Sequence, residues 1–413
     1  MKKLLVSLLA LLLTFSLVCC TGAETENEES SSESDQGNEQ TSSETDESEN
    51  NEESENNEES EVDRNMVIYP EDGSKIILAN DEVHGWWSTY KYGKTNSDAF
   101  YRHEDIYYPN SLTFSWEEYD SADYYRFFIS TDKDFAEDKT EGYIVNTNSL
   151  TLSHLFTGTK YYWKVIATKI LNNGEEYRNI TLIKSSTFRT EEGPRCFKLE
   201  GVSNTRDIGG LEAVKGYRIK QGMIYRGGKL ENITDDAKEY FINYIGITTD
   251  LDLRTPGEGG AGSGSPLGSD INYINFDGRY YVGSKGINTE EGKAIFAQEI
   301  RVFANPDNYP IYIHCSLGRD RTGTLVMVIQ GLLGVGINDI MKDYEFSIFS
   351  VTGTQDNASI EAIRNNITAT YNYIKDNYEG DTFAERTENY LLSIGITAEE
   401  IQTMRTLLLE EVN

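Results

Sequence analysis

The sequence predicts a multidomain chain: a β-sandwich followed by an α/β domain whose central, mostly parallel sheet is flanked by helices. Three observations carry that reading. Residues 65–192 read as short strands, rich in aromatic and β-branched side chains, with turn residues between them. Residues 195–413 alternate short apolar runs with longer helical patterns, the signature of an α/β domain. The first 64 residues carry neither pattern, and a length of 413 residues leaves room for two or three domains.

At the start, Lys2 and Lys3 precede an apolar run from Leu4 to Val18. That run has the length of a signal-peptide core and is short for a bilayer span. It ends in "LVCC", which resembles a bacterial lipoprotein signal with residues 1–20 as the signal peptide. The resemblance implies export, a lipid on Cys20 and a tether to the outer face of the cell membrane. Cys19 stands where such signals usually carry Gly, Ala or Ser. No later run reaches eighteen apolar residues.

Residues 21–64 form the next segment. Between Ala23 and Asp63 there are 18 acidic residues and no Lys or Arg, and "ESENNE" occurs twice in succession. Such a stretch has no apolar surface to bury and repels itself, so it is expected to be a disordered Glu/Ser/Asn linker. The rest, residues 64–413, keeps a net charge of −16 out of the total of −32. No basic stripe offsets it, which argues against a nucleic-acid partner. With Cys19 and Cys20 in the leader, only Cys196 and Cys315 remain. Two cysteines are not a disulfide framework, and a free reactive thiol fits better.

In the β-rich unit, "NSLTFSWEEYDSADYYRFFISTDKDF" alternates apolar and polar residues around Trp116, Tyr125, Phe127 and Ile129. "LFTGTKYYWKVIA" with Trp116 resembles a fibronectin type III module over roughly Pro109 to Thr190, with Phe156-Thr157 in place of the usual proline. Residues 66–108, including "HGWWSTYKYG", are expected to be extra strands or a decorated edge. Trp86-Trp87 could stack on a glycan, although buried core aromatics are the commoner case. His84, His103 and His154 are too far apart for metal-ligand spacing.

In the second unit, "YPIYIHC" runs into "SLGRDRTG", where a strand should hand over to a helix. Cys315 is followed by five residues and then Arg321, with Gly318 between them and Thr322-Gly323 behind. A loop of this kind turns backbone N–H groups and a helix N-terminus toward one point, which makes an anion site. A thiol placed there ionises easily, and an arginine fork matches two phosphate oxygens. A bare C-x5-R is weak evidence; the fixed offsets of His314, Gly318, Thr322 and Gly323 make it specific.

"HCSLGRDRTG" resembles the H-C-x-x-G-K-D-R-T-G loop of the atypical bacterial tyrosine and lipid phosphatases, within the Cys-based protein tyrosine phosphatase superfamily. "GVSNTRDIGGLEAVKGYRIKQGMIYRGGKL", "TTDLDLRTPGE" and "ENYLLSIGITAEEIQTMRTLLL" resemble further stretches of that family, so the likeness covers about 198–413. It implies phosphomonoester hydrolysis through a phosphocysteine, with Cys315 as nucleophile and Arg321 as phosphate clamp. Ser316, Leu317, Gly318, Arg319 and Thr322 would complete the phosphate loop. The resemblance points to Asp320 as general acid, with Asp252 as the fallback. His314, Asn204, Arg206 and Asp207 would support the loop. Arg319 stands where many members have Lys, so a phosphoinositide preference is not carried over. The implied substrate is a phosphorylated protein or a phospholipid, and the implied chemistry uses no cofactor or metal. After residue 154 the only histidine is His314, which excludes a Cys-His hydrolase. The rival outside enzymology is an inactive surface adhesion lipoprotein working through its β-sandwich, but such copies usually lose the cysteine or the arginine. The glycine-rich stretch after Gly257 reads as a mobile loop.

Overall fold

The computed structural model describes residues 60–61, 68–94, 107–171, 176–284, 286–350 and 357–412. The signal peptide, Cys20 and nearly all of the acidic linker lie outside them. The chain divides into two compact units.

One unit comprises Glu117–Asn148 and Tyr162–Ser186, together with Ser60–Glu61. Its strand Tyr124–Ser130 pairs antiparallel with Thr140–Val145 on one side and with Lys160–Leu171 on the other. The period-two pattern of the sequence sets the faces: Tyr125, Phe127 and Ile129 are buried while the residues between them are partly open. The Phe127 ring stacks on Trp163 at 5.7 Å.

The other unit comprises 67–116, 149–161 and 187–413. Near its start, Leu112–Ser115 pairs antiparallel with Ser149–Leu152. The stretch expected as extra strands or a decorated edge contains one short strand, Ser74–Ile76, and a helix, α1 (Asp81–Thr89). The Asn80 side chain caps its first turn by accepting from the Glu82 N–H. Val83, Trp86, Trp87 and Tyr90 recur at three- and four-residue spacing, so the pattern was helical although its aromatics favour strands. Trp86 and Trp87 are buried, and both meet the Phe346 ring. They are core residues, not a glycan-stacking surface.

The central sheet of this unit is mostly parallel. Strands β1 (Ile224–Gly227), β2 (Thr249–Asp252) and β3 (Asn272–Asn275) join β4 (Ile311–His314) in the order β3-β2-β4-β1. All three of these pairings are parallel, and Arg206–Asp207 and Arg195–Cys196 extend the β1 edge antiparallel. β4 is buried on both faces, as expected of a central parallel strand with a continuous apolar run. Helices α2 (Glu290–Arg301), α3 (Asp320–Leu332) and α4 (Ile337–Phe346) contribute to the buried core around the sheet. The carboxyl ends of β4 and β1 and the start of α3 meet at the Cys315 loop, where an α/β sheet holds its ligands.

Candidate active site

Cys315 leaves β4 and the next turn of chain enters α3 at Asp320. Two glycines make this path possible. Gly318 has φ 65°, and a Cβ there would lie 2.0 Å from the Gly227 carbonyl oxygen. A Cβ on Gly323 would come within 2.7 Å of the Tyr344 ring. No side chain caps the start of α3, so its first N–H groups are left to the loop and to whatever anion enters.

The loop is held from below by a buried network. Asn204 donates from Nδ2 to the carbonyls of Leu317 (3.1 Å) and Gly318 (3.2 Å). Arg226 donates from Nη2 to the Gly318 carbonyl at 2.9 Å. Arg206 fixes Asn204 by donating to its Oδ1 at 2.6 Å. Asp343 of α4 accepts from both arginines, from Arg206 Nε at 2.8 Å and Arg226 Nη1 at 2.7 Å.

Above the loop stand four further charged side chains. Arg321 donates from both terminal nitrogens to Glu258, at 2.7 and 2.8 Å, and the Ser316 hydroxyl donates to the same carboxylate at 2.6 Å. Arg321, together with the Ser316 hydroxyl, outweighs burial and holds the Glu258 carboxyl well below its usual value, at about 2. Arg319 lies along Asp320, with Nε 3.1 Å from Oδ1. Asp320 Oδ1 also accepts from the Tyr281 hydroxyl at 2.6 Å.

The two described cysteines are both free and buried, and their environments diverge. Burial pushes the Cys196 thiol up to about 12. Burial would do the same at Cys315, but the Thr322 hydroxyl and N–H and the Arg321 charge outweigh it and hold that thiol below its ordinary value. His314 is fully buried, with Nε2 2.9 Å from Asp250 and its ring stacked on Tyr312. Burial alone would lower its imidazole; the Asp250 carboxylate outweighs that and holds it above the ordinary value.

A thiol poised to ionise, beneath backbone donors and an arginine fork, matches the pattern of a known family. Residues 197–410, just over half of the chain, match the model of the tyrosine phosphatase family. The chain belongs to the tyrosine phosphatase family. A protein of Cupriavidus necator named as a tyrosine-protein phosphatase is 24% identical over 174 residues, covering 37% of this chain and 63% of that relative. A Dictyostelium discoideum protein of the same description is 40% identical over 50 residues, covering 12% of this chain and 30% of its own length. The matches thus span less than two thirds of either relative. Among solved structures, the core catalytic domain of a PP-IP phosphatase from S. cerevisiae, in complex with citrate, is 18% identical, covering 38% of this chain and 91% of that one with a TM-score of 0.25. An Fn3-like protein from Clostridium thermocellum is 22% identical, covering 20% of this chain and 79% of its own, with a TM-score of 0.15.

Not every candidate residue of the tyrosine phosphatase site lies at the loop. Asp207 instead accepts from Arg195 and from the Gly209 and Gly222 N–H groups. Asp252 has no exposed side-chain surface, unlike Asp320, and is clasped by Arg254 at both oxygens with the Tyr273 hydroxyl on Oδ2; burial would raise its carboxyl, but Arg254 and His314 outweigh that and hold it below its ordinary value. Arg254 in turn donates to the Gly259 carbonyl and pairs with Glu231, pinning the turn that carries Glu258. In the glycine-rich stretch that follows, Ser265 donates to Asp250 and Leu267 is buried, while most of its other residues are exposed. Glu258, Arg226, Tyr281 and Asp343 were missed by sequence reasoning. Glu258 and Arg226 stand inside stretches that resemble the family; Tyr281 and Asp343 carry no local signal.

Proposed function

We propose that the chain is a protein-tyrosine phosphatase that hydrolyses phosphomonoesters through a phosphocysteine. The observation that carries this reading is Cys315 in the loop between the end of β4 and the start of α3, with Arg321 beside it and its thiol held below the ordinary value. In the reaction, the Arg321 fork leaves Glu258 to share the phosphate oxygens, and the loop N–H groups bind the rest. The Cys315 sulfur attacks phosphorus in line, and the P–O bond to the leaving group breaks. Asp320 gives the departing oxygen a proton. Water then attacks the phosphocysteine, giving a proton back to Asp320 as the S–P bond breaks; this returns the thiolate with the Thr322 hydroxyl beside it and releases inorganic phosphate. Family membership and the relatives' names support phosphotyrosine as the substrate class.

The sequence supports two further parts of this proposal. The stretch from about Pro109 to Thr190 forms a fibronectin III-like β-sandwich, without the α1 segment before it, and Cys20 carries a lipid that tethers the exported enzyme to the membrane. One experiment addresses enzyme and tether together. Phosphate release by the full chain, in membrane and soluble fractions of expressing cells, is measured on phosphotyrosine, phosphoserine and phosphothreonine peptides and on phosphoinositides. Release from phosphotyrosine that vanishes in Cys315→Ser, and that leaves the membrane fraction in Cys20→Ser, is the expected result. Equal or faster lipid cleavage would move the substrate class to phosphoinositides. No release from any substrate by a folded protein would sink the enzyme reading.

A further inference from the structure

Tyr281 is held in a conformation that tyrosine rarely adopts. Its φ is 55°, a left-handed value that is costly for a side chain with a Cβ. The surroundings impose it: its N–H donates to the Thr324 hydroxyl of α3 at 3.1 Å, and its carbonyl accepts from the Ile287 N–H at 3.0 Å. Beneath it, Gly286 approaches so closely that a Cβ there would lie 2.4 Å from the Tyr281 carbonyl oxygen. The product of this strain is the position of one hydroxyl. It donates to Asp320 Oδ1 at 2.6 Å, and it also meets the hydroxyl of Tyr344 from α4. Burial, Tyr344 and the Asp320 charge all raise the Tyr281 phenol far above its usual value, so it stays a donor at any working pH.

The two oxygens of Asp320 are therefore unequal. Oδ1 collects Tyr281 and Arg319 Nε, whereas Oδ2 has a single longer contact, to Arg319 Nη2 at 3.3 Å. We infer that Tyr281 is the positioning residue that makes Asp320 the acid of the reaction, anchoring Oδ1 and leaving Oδ2 to carry the proton. The inference rests on the phosphatase reading above. As the bridging P–O bond breaks, its electron pair stays on the leaving oxygen, which takes the proton from Asp320 Oδ2. The negative charge left on Asp320 then develops opposite donors already in place, Tyr281 backed by Tyr344, and Arg319. The remaining charged neighbour is the Cys315 sulfur, whose thiol the Asp320 charge pushes up; its own charge is spent on phosphorus at this moment.

The test compares the full chain with Tyr281→Phe, which keeps ring and backbone and removes one hydroxyl. Two aryl phosphates are used, phenyl phosphate and one bearing a strongly electron-withdrawing ring, whose leaving group needs little protonation. Tyr281→Phe is expected to lower kcat on phenyl phosphate by roughly 10-fold or more, and to change the activated substrate by less than about threefold. On an Asp320→Asn background, Tyr281→Phe should add nothing. Equal losses on both substrates, or a multiplying loss in the double variant, would overturn the inference while Cys315→Ser still abolished turnover. Turnover surviving in Cys315→Ser would overturn the phosphatase reading itself. Should Tyr281→Phe fail to fold, Tyr344→Phe leaves the strained backbone untouched; it must slow phenyl phosphate more than the activated substrate, and equal losses there also overturn the inference.

Discussion

Asp343→Asn is the most informative perturbation of the frame beneath the phosphate loop. The carboxylate is buried and is shared by two arginines that are themselves at most 1% exposed, Arg206 and Arg226. Burial and the charge of Arg206 together pull the Arg226 guanidinium below its ordinary value, so the two cations oppose each other wherever Asp343 does not intervene. Asparagine keeps the shape but removes the counter-charge and turns an N–H group toward a guanidinium. Breaking a buried pair from one side costs about 3–5 kcal/mol. Arg206 retains the Asn204 side chain, the Asp343 carbonyl and the Ser347 hydroxyl, which places the expected loss near the lower end, about 3 kcal/mol. That is a large share of a total stability of roughly 5–15 kcal/mol. Urea unfolding of both proteins, followed by tryptophan fluorescence and by residual phosphatase activity, measures it. The pH dependence gives a second check. Burial would raise the Asp343 carboxyl, but Arg206 and Arg226 outweigh it and hold it below its ordinary value. Its contribution is then fully present above the unfolded value, near pH 3.9, and is lost as the pH falls through the lower folded one. The gap between the proteins should be constant from pH 8 to 5 and close only below about pH 4. A gap under about 1 kcal/mol at pH 7, or one already closing between pH 7 and 5, would refute the reasoning.

Two further expectations concern the charges at the loop itself. With iodoacetamide at pH 7, the folded protein should be alkylated at Cys315 and spared at Cys196, whose thiol at about 12 leaves roughly 10⁻⁵ of it as thiolate. Peptide mapping across pH should place the Cys315 midpoint below the ordinary thiol value, and labelling of both cysteines at equal rates would remove the basis for a distinct nucleophile. Glu258→Gln should tighten inhibition by inorganic phosphate about three- to tenfold, because the Arg321 charge no longer faces a competing carboxylate; the half-exposed setting keeps the effect near 1 kcal/mol. Weaker inhibition in that variant would mean that Glu258 chiefly orients the arginine fork.

What was legible in the sequence follows from how local each feature is. The phosphate loop could be read because Cys315, Gly318, Arg321 and Thr322 act through offsets of a few residues, and the strand-to-helix handover was visible in the apolar periodicity. The pattern at Val83, Trp86, Trp87 and Tyr90 is equally local, but its aromatic content points to strands while its three- and four-residue spacing points to a helix, and the spacing prevails. The counter-charges of the loop were illegible for a different reason. Arg206 and Arg226 meet Asp343 at sequence separations of 137 and 117, and Arg321 meets Glu258 at 63; only the Arg319–Asp320 pair is adjacent. Tertiary structure brings each acid to its arginine, and no periodicity records the meeting. The same fact explains how a chain of net charge −32 can build a site for a dianion. Net charge governs long-range attraction, which salt screens beyond roughly 10 Å. Affinity at the loop depends instead on donors within hydrogen-bond reach. Of the four arginines, Arg206 and Arg226 are locked into the frame by Asp343, and Arg319 is committed to Asp320. Arg321 is held by the exposed carboxylate of Glu258, which an incoming phosphate can replace. That fork can supply positive charge to a bound phosphate, with the helix N-terminus and the loop amides adding to the attraction.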